Sequence, residues 1–396
     1  MSDLNDRAIA LHKKFQGKLT TSSLIEINDR DDLALAYTPG VAAVSLAIAQ
    51  NPDLSFDLTW RGRTVAVISD GSAVLGLGNI GPQAALPVME GKSLLLKRFA
   101  DVDSVPLVLA TQDPSQIIQF VKNVAPSFAG INLEDITAPA CFQIEEALQN
   151  IGIPVFHDDQ HGTAIVVTAA LHNAAKVVAK PYDSLKVVIV GAGAAGLAVA
   201  RMLLGLNCSE DSCQRLPEST SVADVIVVDS KGALYTGREH MNIYKQAVAG
   251  LSNKERKTGN LDDVVEGADV IIGVSGPGNI TPEMIKAMAD KSIVFAMANP
   301  TPEIMPDAAK EAGAYIVATG RSDFPNQINN VLAFPGIFRA VIDGRLTTIT
   351  HAMKEAAAVK LAGLVSNPGP ENIIPDLFMP NLAEEISKAI LEVKED

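Results

Sequence analysis

The chain has 396 residues, 32 basic against 46 acidic, and a formal charge of −14, long enough for two or three domains with cores of their own. Its basic residues cluster no further than pairs such as Lys13-Lys14 and Lys97-Arg98, which argues against a nucleic-acid or anionic-membrane partner. No uninterrupted apolar stretch of 18 residues occurs, and Met1 to Arg7 lacks the basic-then-apolar layout of a signal peptide, so a soluble, unexported, cytoplasmic chain is expected.

Residues 1 to about 60 read mostly as helix, stopped where Ala34 to Tyr37 runs into the turn signature Thr38-Pro39-Gly40. Apolar runs at Thr64 to Ser69, Val105 to Ala110, Phe128 to Leu133 and Ile153 to Phe156 then alternate with helical spacing, the rhythm of a parallel sheet covered by helices. His161 to Lys180 reads as a long helix capped by Asp159. Beyond it, strands are expected at Lys186 to Val190, Asp224 to Val228, Asp269 to Val274, Ile293 to Ala298 and Ala314 to Ala318, a Rossmann-like series. After Gly336 the pattern is helical, broken near Pro368 and Pro370. The expected fold class is therefore α/β: a parallel-sheet domain over residues 1–160, a Rossmann-type dinucleotide domain over 161–340, and a helical tail over 341–396 packing back on them. Three cysteines, Cys141, Cys208 and Cys213, have no further cysteine or histidine spaced to complete a zinc site and read as reduced thiols.

Two acidic pairs stand out, Glu134-Asp135 and Asp158-Asp159, each directly behind an apolar run. With Ala140 to Gln149 as a helix between the runs, the unit is strand, helix, strand, a right-handed crossover that brings both pairs to one sheet edge. Neighbouring strands lie about 4.8 Å apart, so the carboxylates can converge on a magnesium or manganese ion, which takes oxygen ligands. His157 and His161 flank the acids but are poorer partners for a hard dication.

A GxGxxG spacing occurs twice, at Gly76 to Gly81 and Gly191 to Gly196. Only the second follows a strand directly and opens an apolar helix, so Gly191, Gly193, Ala194, Ala195 and Gly196 are the expected pyrophosphate cradle. The next strand ends in Asp229, where a carboxylate can bond the ribose hydroxyls and repel a 2′-phosphate; this favours NAD, with NADP as the alternative. Asp229 lies 33 residues beyond Gly196, against about 20 in the usual unit, and the polar stretch Asn207 to Ser221 reads as the surplus. The first copy reads as a loop shaped for close approach to substrate.

Seven segments in order resemble the malic enzyme family in its short bacterial form: Tyr37-Thr-Pro-Gly, Ser69-Asp-Gly-Ser-Ala-Val-Leu-Gly-Leu-Gly-Asn-Ile-Gly with Gly91-Lys92 beyond, Ile131-Asn-Leu-Glu-Asp-Ile, Phe156-His-Asp-Asp-Gln-His-Gly-Thr-Ala, Gly191 to Gly196, Ala298-Asn299-Pro300 and Asn329-Asn330-Val-Leu-Ala-Phe-Pro-Gly336. The resemblance implies oxidation of malate by a nicotinamide cofactor with a divalent metal, followed by decarboxylation to pyruvate. It implies Glu134, Asp135 and Asp159 as metal ligands, Lys92 as general base, Asp158 as a partner of the lysine or of the metal site, and Tyr37 as general acid. It also implies Asn299, Asn329 and Asn330 at the substrate, Ser275 and Asn299 at the cofactor, and a homodimer or larger assembly. A neutral Lys92 requires a pKa pulled from about 10.4 toward about 7–8. Longer family members carry Asp-Gly-Glu-Arg where this chain has Asp70-Gly71-Ser72-Ala73. The carboxylate-clamping arginine is thus absent, and Ser72 and the loop amides of Gly76 to Gly81 are the substitutes. A malolactic activity, with the dinucleotide retained and lactate formed, and a non-catalytic dinucleotide-binding protein are the competing readings.

Overall fold

Runs of β-branched and aliphatic residues with no polar face form strands buried on both sides. In the computed structural model, which describes residues 2–74, 76–208 and 213–393, they build two sheets. Leu75 of the first glycine segment and residues 209–212 of the expected insertion lie outside the described residues. The first sheet has four parallel strands, β1 (Thr64–Ser69), β2 (Asp103–Val108), β3 (Gly130–Leu133) and β4 (Val155–His157), in the order β2-β1-β3-β4. β3 and β4 are neighbours, with Leu133 paired to His157, so the acids that follow both strands emerge side by side.

The second sheet is built from β5 (Lys186–Val190), β8 (Asp224–Asp229), β9 (Gly232–Ala233), β10 (Val270–Gly273), β11 (Ile293–Ala296) and β12 (Ile316–Thr319), and β6 (Leu206–Cys208) and β7 (Cys213–Arg215) form a separate two-stranded pair. The second sheet's order is β12-β11-β10-β5-β8-β9, parallel except for the short β9 that folds back on β8. That sixth strand was not expected; two residues carry no period to read. The polar stretch after Leu206 forms the β6-β7 hairpin, whose register sets Cys208 opposite Cys213. The structure brings their sulfurs together, which the reading of separate thiols did not foresee: antiparallel pairing opposes two residues that have no sequence period in common. Cys141 is free and buried.

The Asp158–Val178 helix is buried along most of its length and packs against the Ala194–Leu203 helix of the second sheet and the His351–Gly363 helix of the C-terminal region. Asn173 within it donates to the carbonyls of Ala362 and Ile373 at 2.8 and 3.0 Å. A buried amide left without those acceptors would be costly, so this pair fixes the C-terminal segment. By contrast, the Arg30–Ala36 and Val41–Gln50 helices bury no residue. The apolar stretch Arg30–Gln50 reaches membrane-spanning length only when counted across the turn at Tyr37 to Gly40.

Candidate active site

The long helix begins at Asp158, with His157 as its N-cap, so Asp159 sits in the first turn and does not cap it. Its Oδ2 instead accepts a hydrogen bond of 2.8 Å from the Asp135 amide, which Asp135 presents from a left-handed backbone at φ 55°. Carboxylate oxygens of Glu134, Asp135 and Asp159 lie within 4.8 Å of one another. Glu134 is oriented by the Asn132 amide at 2.9 Å.

Lys92 reaches this cluster from the Pro82–Ala100 helix. Its ammonium lies 3.0 Å from Glu134 Oε1, pairs closely with Asp158 Oδ2, and stands 4.5 Å from the centre of the Phe334 ring. Burial lowers the Lys92 pKa, but the fields of Asp158, Glu134 and Asp159 outweigh it and the net direction is upward. Among these carboxylates alone the direction is upward; the lowering expected for a general base includes the field of a bound dication. Burial raises Glu134, and raises Asp158 and Asp159 to about 6 in spite of Lys92. Four carboxylates facing one ammonium are short of positive charge, and an all-oxygen set of this kind fits a hard dication.

Asn330 adjoins the same cluster because Gly162 has no side chain: a Cβ there would come 1.9 Å from Asp158 Oδ1 and 3.1 Å from the Asn330 Cβ. Asn329 Oδ1 accepts from the Val331 amide at 3.0 Å as a helix cap. The first glycine loop closes on Asn299, since a Cβ on Gly76 would meet the Asn299 carbonyl at 2.2 Å. The amides of Leu77 and Gly78 donate to Val74, and those of Ile80 and Gly81 to Gly71. These four amides are therefore engaged within the loop. Ser72 is buried and its hydroxyl oxygen accepts from the Thr137 amide at 2.9 Å, which leaves its own proton to donate. Tyr37 is apart from all of this, its side chain 65% exposed at the end of the Arg30–Ala36 helix.

His157 and His161 are not in the oxygen cluster. His161 instead pairs with Glu145 at 2.7 Å. Burial, only partly opposed by that carboxylate, brings the imidazole down to about 4. Glu145, which burial alone would raise, falls to about 2 beside it.

At the second sheet the Gly191 amide donates to the Val228 carbonyl at 2.8 Å, tying the glycine turn to the end of β8. A Cβ on Gly196 would lie 1.8 Å from the Gly191 carbonyl, whereas one on Gly193 would meet nothing within 4 Å. The turn is thus closed on itself and open outward, with Ala194 and Ala195 beginning the helix whose N-terminal amides face that opening. Ser275 borders Gly191, and its amide donates to Glu303 Oε1 at 2.9 Å. Glu303, buried, also accepts from the Ala298 amide at 2.9 Å, so one carboxylate links the loops after β10 and β11. Its role was not read from sequence, because its partners are backbone groups. Asp229 is not the bare anion expected: Arg238 and Lys245 both pair with it at 2.6 Å.

A family model for the malic enzyme N-terminal domain matches residues 16–114, and one for the malic enzyme NAD-binding domain matches residues 160–394. The chain belongs to the malic enzyme family. It is 51% identical over 391 residues to a bifunctional malic/malolactic enzyme of Bacillus subtilis, covering 98% of this chain and 92% of that one. It is 49% identical to an NAD-dependent malic enzyme of Geobacillus stearothermophilus, with 98% and 79% covered, and 46% identical to an NADP-dependent malic enzyme of Halomonas elongata, with 91% and 82% covered. The solved NAD-dependent malic enzyme of Thermotoga maritima superposes with a TM-score of 0.91 at 47% identity, covering 97% and 99%. This family member is accordingly an α/β enzyme with a Rossmann-type NAD-binding domain, working with NAD or NADP.

Proposed function

We propose that the enzyme oxidises L-malate with NAD and a magnesium or manganese ion, and decarboxylates the product to pyruvate. The observation that carries this reading is the buried cluster in which Lys92 lies between Asp158 and Glu134, beside the oxygens of Asp135 and Asp159. Glu134, Asp135 and Asp159 are the proposed holders of the ion, which when bound supplies Lewis-acid polarisation of a 2-hydroxy acid and offsets the carboxylate field on Lys92. Lys92 Nζ takes the hydroxyl proton, and Asp158 Oδ2, in contact with it, holds the ammonium that results. Ser72, Asn299 and Asn330 orient the substrate, with Asn329 holding the loop from which Asn330 projects. The turn from Gly191 to Gly196, with Ser275 beside it, holds the dinucleotide. In this reading residues 1–160 carry the acid and base, 161–340 the cofactor, and 341–396 the support behind both, in a cytoplasmic enzyme.

Tyr37 returns a proton to carbon in the last step, its phenol O–H serving as the donor. Its exposure, on helices whose Leu35 and Leu46 also face outward, supports a homodimer or larger assembly in which Tyr37 completes a neighbouring copy's cleft. Mixing Tyr37→Phe with Lys92→Ala protein is expected to restore activity that neither has alone; no restoration would put both residues in one chain's site.

The name of the Bacillus relative supports a second, malolactic outcome. Incubation with malate, NAD and manganese separates the two: pyruvate with stoichiometric NADH is expected, whereas lactate without net NADH would establish the other.

A further inference from the structure

A cavity of about 330 Å³ opens where the Ala140–Ala147, Asp158–Val178, Ala194–Leu203 and His351–Gly363 helices come together. That is the size of a small-ligand pocket. Phe142, Glu145, His161, Arg201 and Lys354 line it, whereas the metal acids, Lys92 and the glycine turn do not. It is therefore a compartment apart from the site described above.

The acceptors in this cavity are already in use. Glu145 gives Oε1 to His161 at 2.7 Å and Oε2 to the Gln160 side-chain amide at 3.0 Å, and Glu146 Oε2 accepts from the Tyr244 hydroxyl at 3.3 Å. The donors are not matched. Arg201 Nε and Nη2 are buried and meet no acceptor among the described residues; the guanidinium is held instead by the rings of Phe142 and Tyr244, 5.5 and 5.8 Å from their centres. The Lys354 ammonium likewise forms no ion pair or hydrogen bond among the described residues. Burial lowers the pKa of both groups in spite of the nearby carboxylates, and Arg201 is close enough for its field to lower Lys354 further. Like charges brought together out of water call for an anion between them.

We propose that this cavity is a binding site for a small anion, which the Arg201 guanidinium and the Lys354 ammonium hold by its carboxylate or phosphate oxygens. The planar fork of Arg201 suits either oxyanion, and the three ammonium protons of Lys354 can turn to whichever oxygen remains. Charge-assisted hydrogen bonds of this kind are the strong ones, and here they would satisfy donors that the folded chain leaves unpaired.

Calorimetric titration with inorganic phosphate and with acetate tests this in metal-free protein, with ADP-ribose added to fill the glycine turn. Chloride holds the ionic strength constant, so that screening does not differ between points. At least one of the two anions is expected to bind, and the preference between them tells which oxyanion the site takes. Lys354→Met and Arg201→Gln should each weaken that binding by roughly tenfold or more, while Lys354→Arg, which keeps the charge, should retain most of it. Circular dichroism checks the folding of each variant; should Arg201→Gln not fold, the comparison of Lys354→Met with Lys354→Arg decides alone. Binding of neither anion overturns the proposal. So does binding that Lys354→Met leaves unchanged, because the anion then sits elsewhere.

Discussion

The carboxylates around Lys92 favour its protonated form, and this makes its neighbours as consequential as the lysine. General acid–base groups contribute on the order of 10²–10⁴ in rate, so Lys92→Ala is expected to lose at least about 100-fold in kcat, as measured by NADH formation from malate. Asp159→Asn keeps the shape of the cluster but removes one anion; metal-dependent turnover should disappear, and full activity at any manganese concentration would remove Asp159 from the ligand set. Gly162 is a sharper probe. An alanine Cβ 1.9 Å from Asp158 Oδ1 has to push the carboxylate off the ammonium of Lys92, and a displacement of about 1 Å in such a cluster costs about 100-fold. Gly162→Ala is therefore expected to lower kcat by that order although residue 162 itself has no chemistry; wild-type kcat would show that the Asp158 position is not needed.

Among the elements, those with a strong hydrophobic period were legible and their ends were not. β1 and β5 were read residue for residue, because each is a run of apolar residues bounded by polar ones. The ends of β4 and β10 shifted by one or two residues, since burial on both faces leaves no alternation to count. The long helix began three residues earlier than its reading, because Asp158 and Asp159 look like caps in sequence while their partners, Lys92 and the Asp135 amide, arrive from other elements. The His351–Gly363 helix contributes Lys354, whose pKa burial brings down to about 8, helped by Arg201 and opposed by Glu145. An unfolded lysine titrates near 10.4, so below about pH 8 the folded state carries a charge it accommodates less well than the unfolded chain does, and the cost fades as pH rises through the unfolded value. Lys354→Met is expected to stabilise the protein by on the order of 2 kcal/mol at pH 7 and by much less near pH 10 in denaturant titrations; an equal gain at both would mean that packing, not charge, is responsible.

For the molecule as a whole, the unburied N-terminal helices are the conspicuous loose end. Leu24, Leu35 and Leu46 are exposed in a row of elements with no internal core, and apolar faces of this kind mark association surfaces. Leu35→Asp combined with Leu46→Asp is expected to lower the mass in sedimentation velocity and, with it, the activity; loss of neither would leave the single chain as the working unit. What the linear order of residues settled was everything carried by periodicity and by local spacing: alternating strands and helices, which glycine motif opens a helix behind a strand, and the arrival of two acidic pairs at one sheet edge. Those are consequences of short-range geometry, which a chain carries wherever it folds. The charge states were decided only in three dimensions. The carboxylates around Lys92 raise its pKa and Asp229 is shared between Arg238 and Lys245 because electrostatic fields act through space, from residues with no fixed distance along the chain.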